Sequence, residues 1–139
     1  ARTGAMIFTG TIAAFTLGLI IWTTIVLIPY IHVTIDIRTT DSTVNVSSCG
    51  YTNRINIDDI TEITLMDSLP DDHFFKYSGG ATDSYLVGKF KGNTYGKCNL
   101  YIFNDVSPVL MIKTADQTVF MNSKKDGEII NLYNAIKSK

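Results

Sequence analysis

The spacing of apolar and polar residues divides the chain into three stretches. The first, Met6 to Ile28, reads MIFTGTIAAFTLGLIIWTTIVLI, with threonine as its polar content and apolar residues on every side of a helical wheel. As a helix those 23 residues measure about 34 Å, against roughly 30 Å of bilayer hydrocarbon. A helix apolar all round belongs inside a large protein or in lipid, and a chain of 139 residues has too little else to wrap it. A transmembrane helix with its flanks over residues 1–30 is therefore expected, ended by Pro29, with Tyr30 at the interface. A cleaved secretory signal fits less well, because its apolar run is typically about 7–15 residues and a small-x-small cleavage site follows it. Gly10, Ala14 and Gly18 recur every four residues on one helix face, where small side chains let a second helix pack closely. Arg2 on one side and Arg38 on the other balance, so flanking positive charge gives no orientation.

From Ile31 the period becomes two. Ile31, Val33, Ile35 and Ile37 alternate with His32, Thr34 and Asp36, the pattern of a half-buried strand that starts close to the bilayer. Further strands are expected at Thr43–Ser47, Thr52–Ile57, Glu62–Met66, Ser84–Phe90, Cys98–Asn104, Pro108–Thr114 and Thr118–Met121. Their inward positions include Val44, Val46, Ile55, Ile57, Ile63 and Leu65. Between them, Asp67–Asp83 is polar, holds Pro70 and Gly79-Gly80, and reads as a long loop. The period changes once more near the end. Ile129, Leu132, Tyr133 and Ile136 line one face of a helix expected from about Lys125 to Lys137, with Ser123 as N-cap. That face needs a surface to cover, and the open mouth of a curled sheet supplies it. The expected domain, residues 31–139, is thus an antiparallel β-sandwich or barrel of seven or eight strands capped by one helix.

Composition sharpens the division. Charged residues make up 18% of the chain, below the roughly 25% of average proteins. Thr3 to Ile35 contains no Asp, Glu, Lys or Arg, and His32 is its one side chain that titrates near neutral pH. All 13 acidic residues and 11 of the 12 basic ones lie at or after Asp36, so that part carries net −2. This excludes a disordered chain, a disulfide scaffold and a polybasic nucleic-acid binder.

Local strings carry a resemblance. Asp67-Ser68-Leu69-Pro70, Gly88-Lys89-Phe90, Tyr95 through Ile102, Asn122-Ser123-Lys124-Lys125 and Leu132-Tyr133, set among strands and a lone C-terminal helix, resemble the bacterial pleckstrin-homology-like (PH-like) domains that follow membrane spans. The resemblance covers residues 31–139 and implies a membrane-tethered interaction domain. It departs from phosphoinositide-binding PH domains, whose first hairpin carries a Lys-x-Lys-x-Arg-type cluster. Here that hairpin is Ile37-Arg38-Thr39-Thr40-Asp41-Ser42-Thr43, and one Arg beside one Asp does not neutralise a polyphosphorylated headgroup.

Few residues carry candidate chemistry. Lys89, Lys91 and Lys97, with Tyr95 between them, cluster on one expected hairpin as a lipid or partner contact; a basic patch near a membrane gains about 1 kcal/mol per Lys from anionic lipid. Lys124 and Lys125 open the expected helix at its positive dipole end, which hints at a phosphate or acidic contact. A solvated surface accounts for either group equally simply. Cys49 and Cys98 form no C-x-x-C motif; they could pair, yet a strand cysteine such as Cys98 reads as a small buried hydrophobe, and unpaired thiols fit a cytoplasmic domain. Asp71, Asp72 and His73 form one triplet without further ligands, read as a solvated loop rather than a metal site. Asp58, Asp59 and Glu62 precede a strand and suit a turn. Asn45-Val46-Ser47 matches a glycosylation sequon that has no meaning in a bacterial protein. With no nucleophile elbow, P-loop or dinucleotide fingerprint, neither catalysis nor a cofactor is expected. The sequence therefore reads as a membrane-anchored interaction module at the cell membrane. It would act by protein or lipid-headgroup contact, with self-association or a protein partner through the apolar helix. The alternative is an accessory subunit of a membrane transport or peptide-immunity complex.

Overall fold

A computed structural model of the chain describes residues 13–23, 25 and 33–139. Two units separate after Val33. In the first, residues 13–23 and 25 are helical, with exposed Phe15, Leu17 and Trp22. Ala14 and Gly18 are exposed, and a Cβ added at Gly18 meets nothing within 4 Å. Gly10, His32 and both ends of the expected span lie outside the described residues. Among the described residues no helix is long and apolar enough to cross a membrane.

The second unit, Thr34–Lys139, is built from two sheets and a helix. β1 (Asp36–Thr39), β2 (Thr43–Ser48) and β3 (Tyr51–Asn56) form an antiparallel meander. Alternation turns Val44, Val46 and Ile55 inward, where they are fully buried. β1 begins later than its alternation suggests because β2 runs out: Asp36 pairs with Ser47, and the chain turns at Cys49-Gly50 just beyond. A 3-10 turn, Ile57–Asp59, follows β3 and holds Asp58 and Asp59, with Asn56 Nδ2 donating to Asp59 Oδ2 at 3.2 Å.

The larger sheet contains β4 (Ile60–Met66), β5 (Phe75–Ala81), β6 (Tyr85–Gly92), β7 (Gly96–Phe103), β8 (Val109–Thr114) and β9 (Thr118–Met121), in the order β4-β8-β9-β7-β6-β5. Two expectations are corrected here. The domain has nine strands, because β5 lies inside the stretch read as loop. The sheet is also not wholly antiparallel, because the β8–β9 hairpin folds back so that β9 lies parallel to β7. The C-terminal helix spans Glu128–Lys137, shorter than expected, since Gly127 at φ 75° breaks the chain before it. Ser123 is not its cap; its hydroxyl accepts from the Lys125 N–H in the preceding turn. The helix buries Ile129, Leu132 and Ile136 and packs on β4 and β8.

β4 and β5 stand at opposite edges of this sheet, yet only residues 67–74 connect them. Five strand spacings amount to about 24 Å, and nine chain steps reach at most about 30 Å. The connection is therefore a short strap across one sheet face. Its Leu69 and Phe74 pack on the core cluster of that face, Phe90, Cys98, Leu100, Ile102, Val109, Met111 and Phe120. The strap is pinned at both ends. Ser107 Oγ donates to the Asp67 carbonyl at 2.5 Å. Asp72, at 6% exposure, is not the solvated residue expected: its carboxylate accepts from the Thr94 and Tyr95 N–H groups at 2.8–2.9 Å, and its carbonyl accepts from Asn93.

On the opposite face the two sheets meet through polar groups. Asn53 on β3 accepts from the Tyr101 hydroxyl on β7 at 2.5 Å and donates to Gln117 Oε1 at 2.7 Å. Burial pushes the Tyr101 phenol up from its ordinary pKa. Fully buried Asn122 closes the far end of β7, accepting from Phe103 N–H at 2.7 Å and donating to the Phe103 and Val106 carbonyls.

Two stability effects follow. Gly79 and Gly88 face each other across β5 and β6 at φ 119° and 132°, and a Cβ on Gly88 would sit 2.2 Å from the Ser78 carbonyl oxygen. Gly88→Ala is expected to destabilise the domain by about 2–3 kcal/mol, read from urea unfolding. Burial opposes the Asp72 charge, but the Tyr95 N–H, the Thr94 hydroxyl and N–H, and His73 outweigh it and hold the carboxyl below its ordinary value. Folded Asp72 thus binds a proton more weakly than unfolded Asp72. Its stabilisation is complete above the unfolded carboxylate pKa, about 3.9, and is lost as pH falls through the lower folded value. Asp72→Asn should therefore lose less stability than the parent between about pH 5 and pH 2, in urea titrations across that range.

Candidate functional site

The β6–β7 hairpin turns at Gly92–Gly96, which the strap holds through Asp72. A Cβ at Gly92 would strike Asp72 Oδ2 at 2.1 Å, so the tight approach of strap to hairpin requires glycine there. Tyr95 belongs to this clasp. Its ring packs edge-on against buried Phe120 at 5.1 Å and stacks on Phe74 at 6.5 Å. The structure does not bring Tyr95 among the lysines.

The lysines themselves share a face. Strand alternation places Lys89 and Lys91 on β6 with Lys97 on β7, on the face opposite the strap and all exposed. Lys91 pairs directly with Lys97, and Lys89 with Asn99. None of the three forms an ion pair among the described residues. Two aromatic residues that the sequence reading placed in a loop join them. Phe75 on edge strand β5 pairs with Lys91, and a bulge between Lys76 and Ser78 brings Tyr77 alongside. Phe75 and Tyr77 are each 52% exposed and pack edge to face at 5.1 Å. Their signal in the sequence is two aromatics separated by one residue, masked by the glycines that follow. A hollow of about 430 Å³ lies between Tyr77 and Gln117, flanked by Lys89 and Lys97, with Asp116 at its rim.

Other candidates fall elsewhere. Lys124 lies over the Phe103 ring at 4.4 Å, and Lys125 pairs with Glu128 at 3.8 Å. Neither opens the helix, which starts at Glu128 with an acid at its positive end, so the expected dipole conflict is absent. Phe103 is six residues along β7 from Lys97, about 20 Å at strand rise, so the two basic groups are separate. Arg38 in the first hairpin is ion-paired with Asp36 at 2.9 Å. Cys49 and Cys98 are not joined in a disulfide. Cys98 is core, its thiol pushed up to about 12 by burial and by Asp72. Among the described residues no three His, Cys, Asp or Glu side chains converge as metal ligands.

A nine-stranded, two-sheet domain closed by a C-terminal helix has the outline of a PH fold, and a family model for the bacterial PH domain matches residues 35–135. The chain belongs to the bacterial PH domain family. No curated protein and no solved structure matches it. The match ends within the C-terminal helix and leaves the apolar N-terminal stretch outside. Membership of this family points to an interaction module.

The lysine face carries a cost that can be measured. Like charges directly opposite on neighbouring strands destabilise a sheet. Lys97→Glu converts the Lys91–Lys97 pair into opposite charges and is expected to raise stability by about 0.3–1 kcal/mol, read as a higher thermal midpoint at low salt that the parent approaches as salt is added.

Proposed function

We propose that the chain is a membrane-anchored interaction module. In this reading Met6–Ile28 spans the bilayer and the bacterial PH domain beyond it binds a partner without catalysis. The observation that carries it is the placement of charge: 33 residues, Thr3 to Ile35, without Asp, Glu, Lys or Arg directly precede a domain that holds every acidic residue of the chain. A charged side chain at the middle of a bilayer costs about 2.5–3.5 kcal/mol on insertion scales, so a run this long without one suits lipid. The eight chain steps from Ile28 to Asp36 extend at most about 28 Å, which would tether the domain beside the membrane. A cytoplasmic position suits two cysteines that form no disulfide, one of them a core residue.

The reading has a direct test. Membranes from cells expressing the full chain, washed with alkaline carbonate, are expected to retain it, while a chain lacking residues 1–30 is expected in the wash. Release of the full chain by carbonate would overturn the anchor. Recovery of a stoichiometric transporter or exporter subunit by cross-linking in those membranes would instead favour an assembly role.

A further inference from the structure

We propose that the face formed by Phe75, Tyr77, Lys89, Lys91 and Lys97 is a docking surface for an anionic phospholipid bilayer. The inference rests on the membrane-anchored reading and names the partner of the surface. It stands on three observations. Lys91 and Lys97 are direct cross-strand neighbours, Lys89 lies two residues away on the same face, and no ion pair relieves them among the described residues. Bound anions would remove that repulsion.

The layout of the face selects the kind of anion. Phe75, Lys91 and Lys97 form a row across three adjacent strands, about 10 Å wide at sheet spacing, and Lys89 extends it along β6. An extended acidic peptide added to the β5 edge would run along one line and leave Lys97 two strands away. A bilayer offers phosphates across two dimensions and can meet all three ammonium groups at once.

The third observation is the aromatic pair. Phe75 and Tyr77 are half exposed beside the lysines, and neither belongs to the core cluster under the strap. Aromatic rings with one apolar and one wet side settle at the headgroup boundary of a membrane. Lysines flanking them match the usual make-up of surfaces that rest on lipid.

The test uses the full chain in vesicles of phosphatidylcholine, alone or with about 30 mol % phosphatidylglycerol. Brief acetylation followed by mass spectrometry reads each lysine separately. Lys89, Lys91 and Lys97 are expected to react at least about threefold more slowly in the anionic vesicles, and to recover at about 0.5 M salt. Lys113 and Lys137 should react equally in both. A Phe75→Ser, Tyr77→Ser double variant with an unchanged circular dichroism spectrum should lose most of the protection. Equal reactivity of the three lysines in both vesicles overturns the proposal, as does protection that appears only when an acidic protein is added. Carbonate washing of the same samples, after the footprint is taken, separates the two readings. A chain that stays in the vesicles with unprotected lysines refutes the docking surface alone. A chain that washes off with protected lysines refutes the anchor alone.

Discussion

The strap over residues 67–74 is the constraint on which the rest of the domain depends. Its two ends belong to opposite edges of a six-stranded sheet, so the chain has to cross a full face in eight residues. That requirement decides which face is which. The strap side closes over Phe90, Leu100, Met111 and Phe120 with Leu69 and Phe74, leaving the other side to meet the small sheet through Asn53 and Tyr101. A short strap cannot drift, so its pins act on whatever they touch. The Asp72 carboxylate grips the turn between β6 and β7, and that turn sets the pairing of Lys91 with Lys97. A residue buried on one face thereby fixes the spacing of charges on the other.

The proposed contact surface gathers features that add little to the stability of the domain. Opposed lysines repel, half-exposed aromatics forgo burial, and a bulge interrupts the β5–β6 ladder beside them. Elsewhere the domain resolves such conflicts. Arg38 has Asp36, Lys125 has Glu128, and Lys124 lies over Phe103. Unresolved repulsion concentrated at one place, next to exposed rings, is what a surface looks like when its partner supplies the missing charge and the missing apolar contact.

The legible and illegible parts of this fold divide along physical lines. Where one side of an element is buried and the other wet, the period shows: Val44, Val46 and Ile55 in the small sheet, Ile129, Leu132 and Ile136 in the helix, Lys89 and Lys91 on β6. β5 was hidden because its residues Phe75 to Ser78 are all exposed and its glycines mimic a turn, and Phe75 and Tyr77 were hidden with it. The burial of Asp72 is illegible for a related reason. It is created by the hairpin turn 22 residues later, and no local pattern marks a carboxylate that caps a distant turn. The parallel placement of β9 is equally silent, since alternation gives the face of a strand and not the direction of its neighbour.

Net charge conceals a further property of the domain. The region from Asp36 onward carries net −2, which by itself predicts weak repulsion from an anionic partner. The charge is not evenly spread along β7. Lys89, Lys91 and Lys97 gather at its start, while the other end, beside Phe103, mixes Asp83 and Asp105 with Lys124 and Lys125. With a separation of about 20 Å along the strand, roughly twice the Debye length at physiological salt, each end is felt on its own by anything that touches it. An anionic surface would therefore respond to the three lysines locally rather than to the net charge. A domain of slightly negative total charge can thus present a cationic face in a defined orientation, and that orientation is set by the register of a single hairpin.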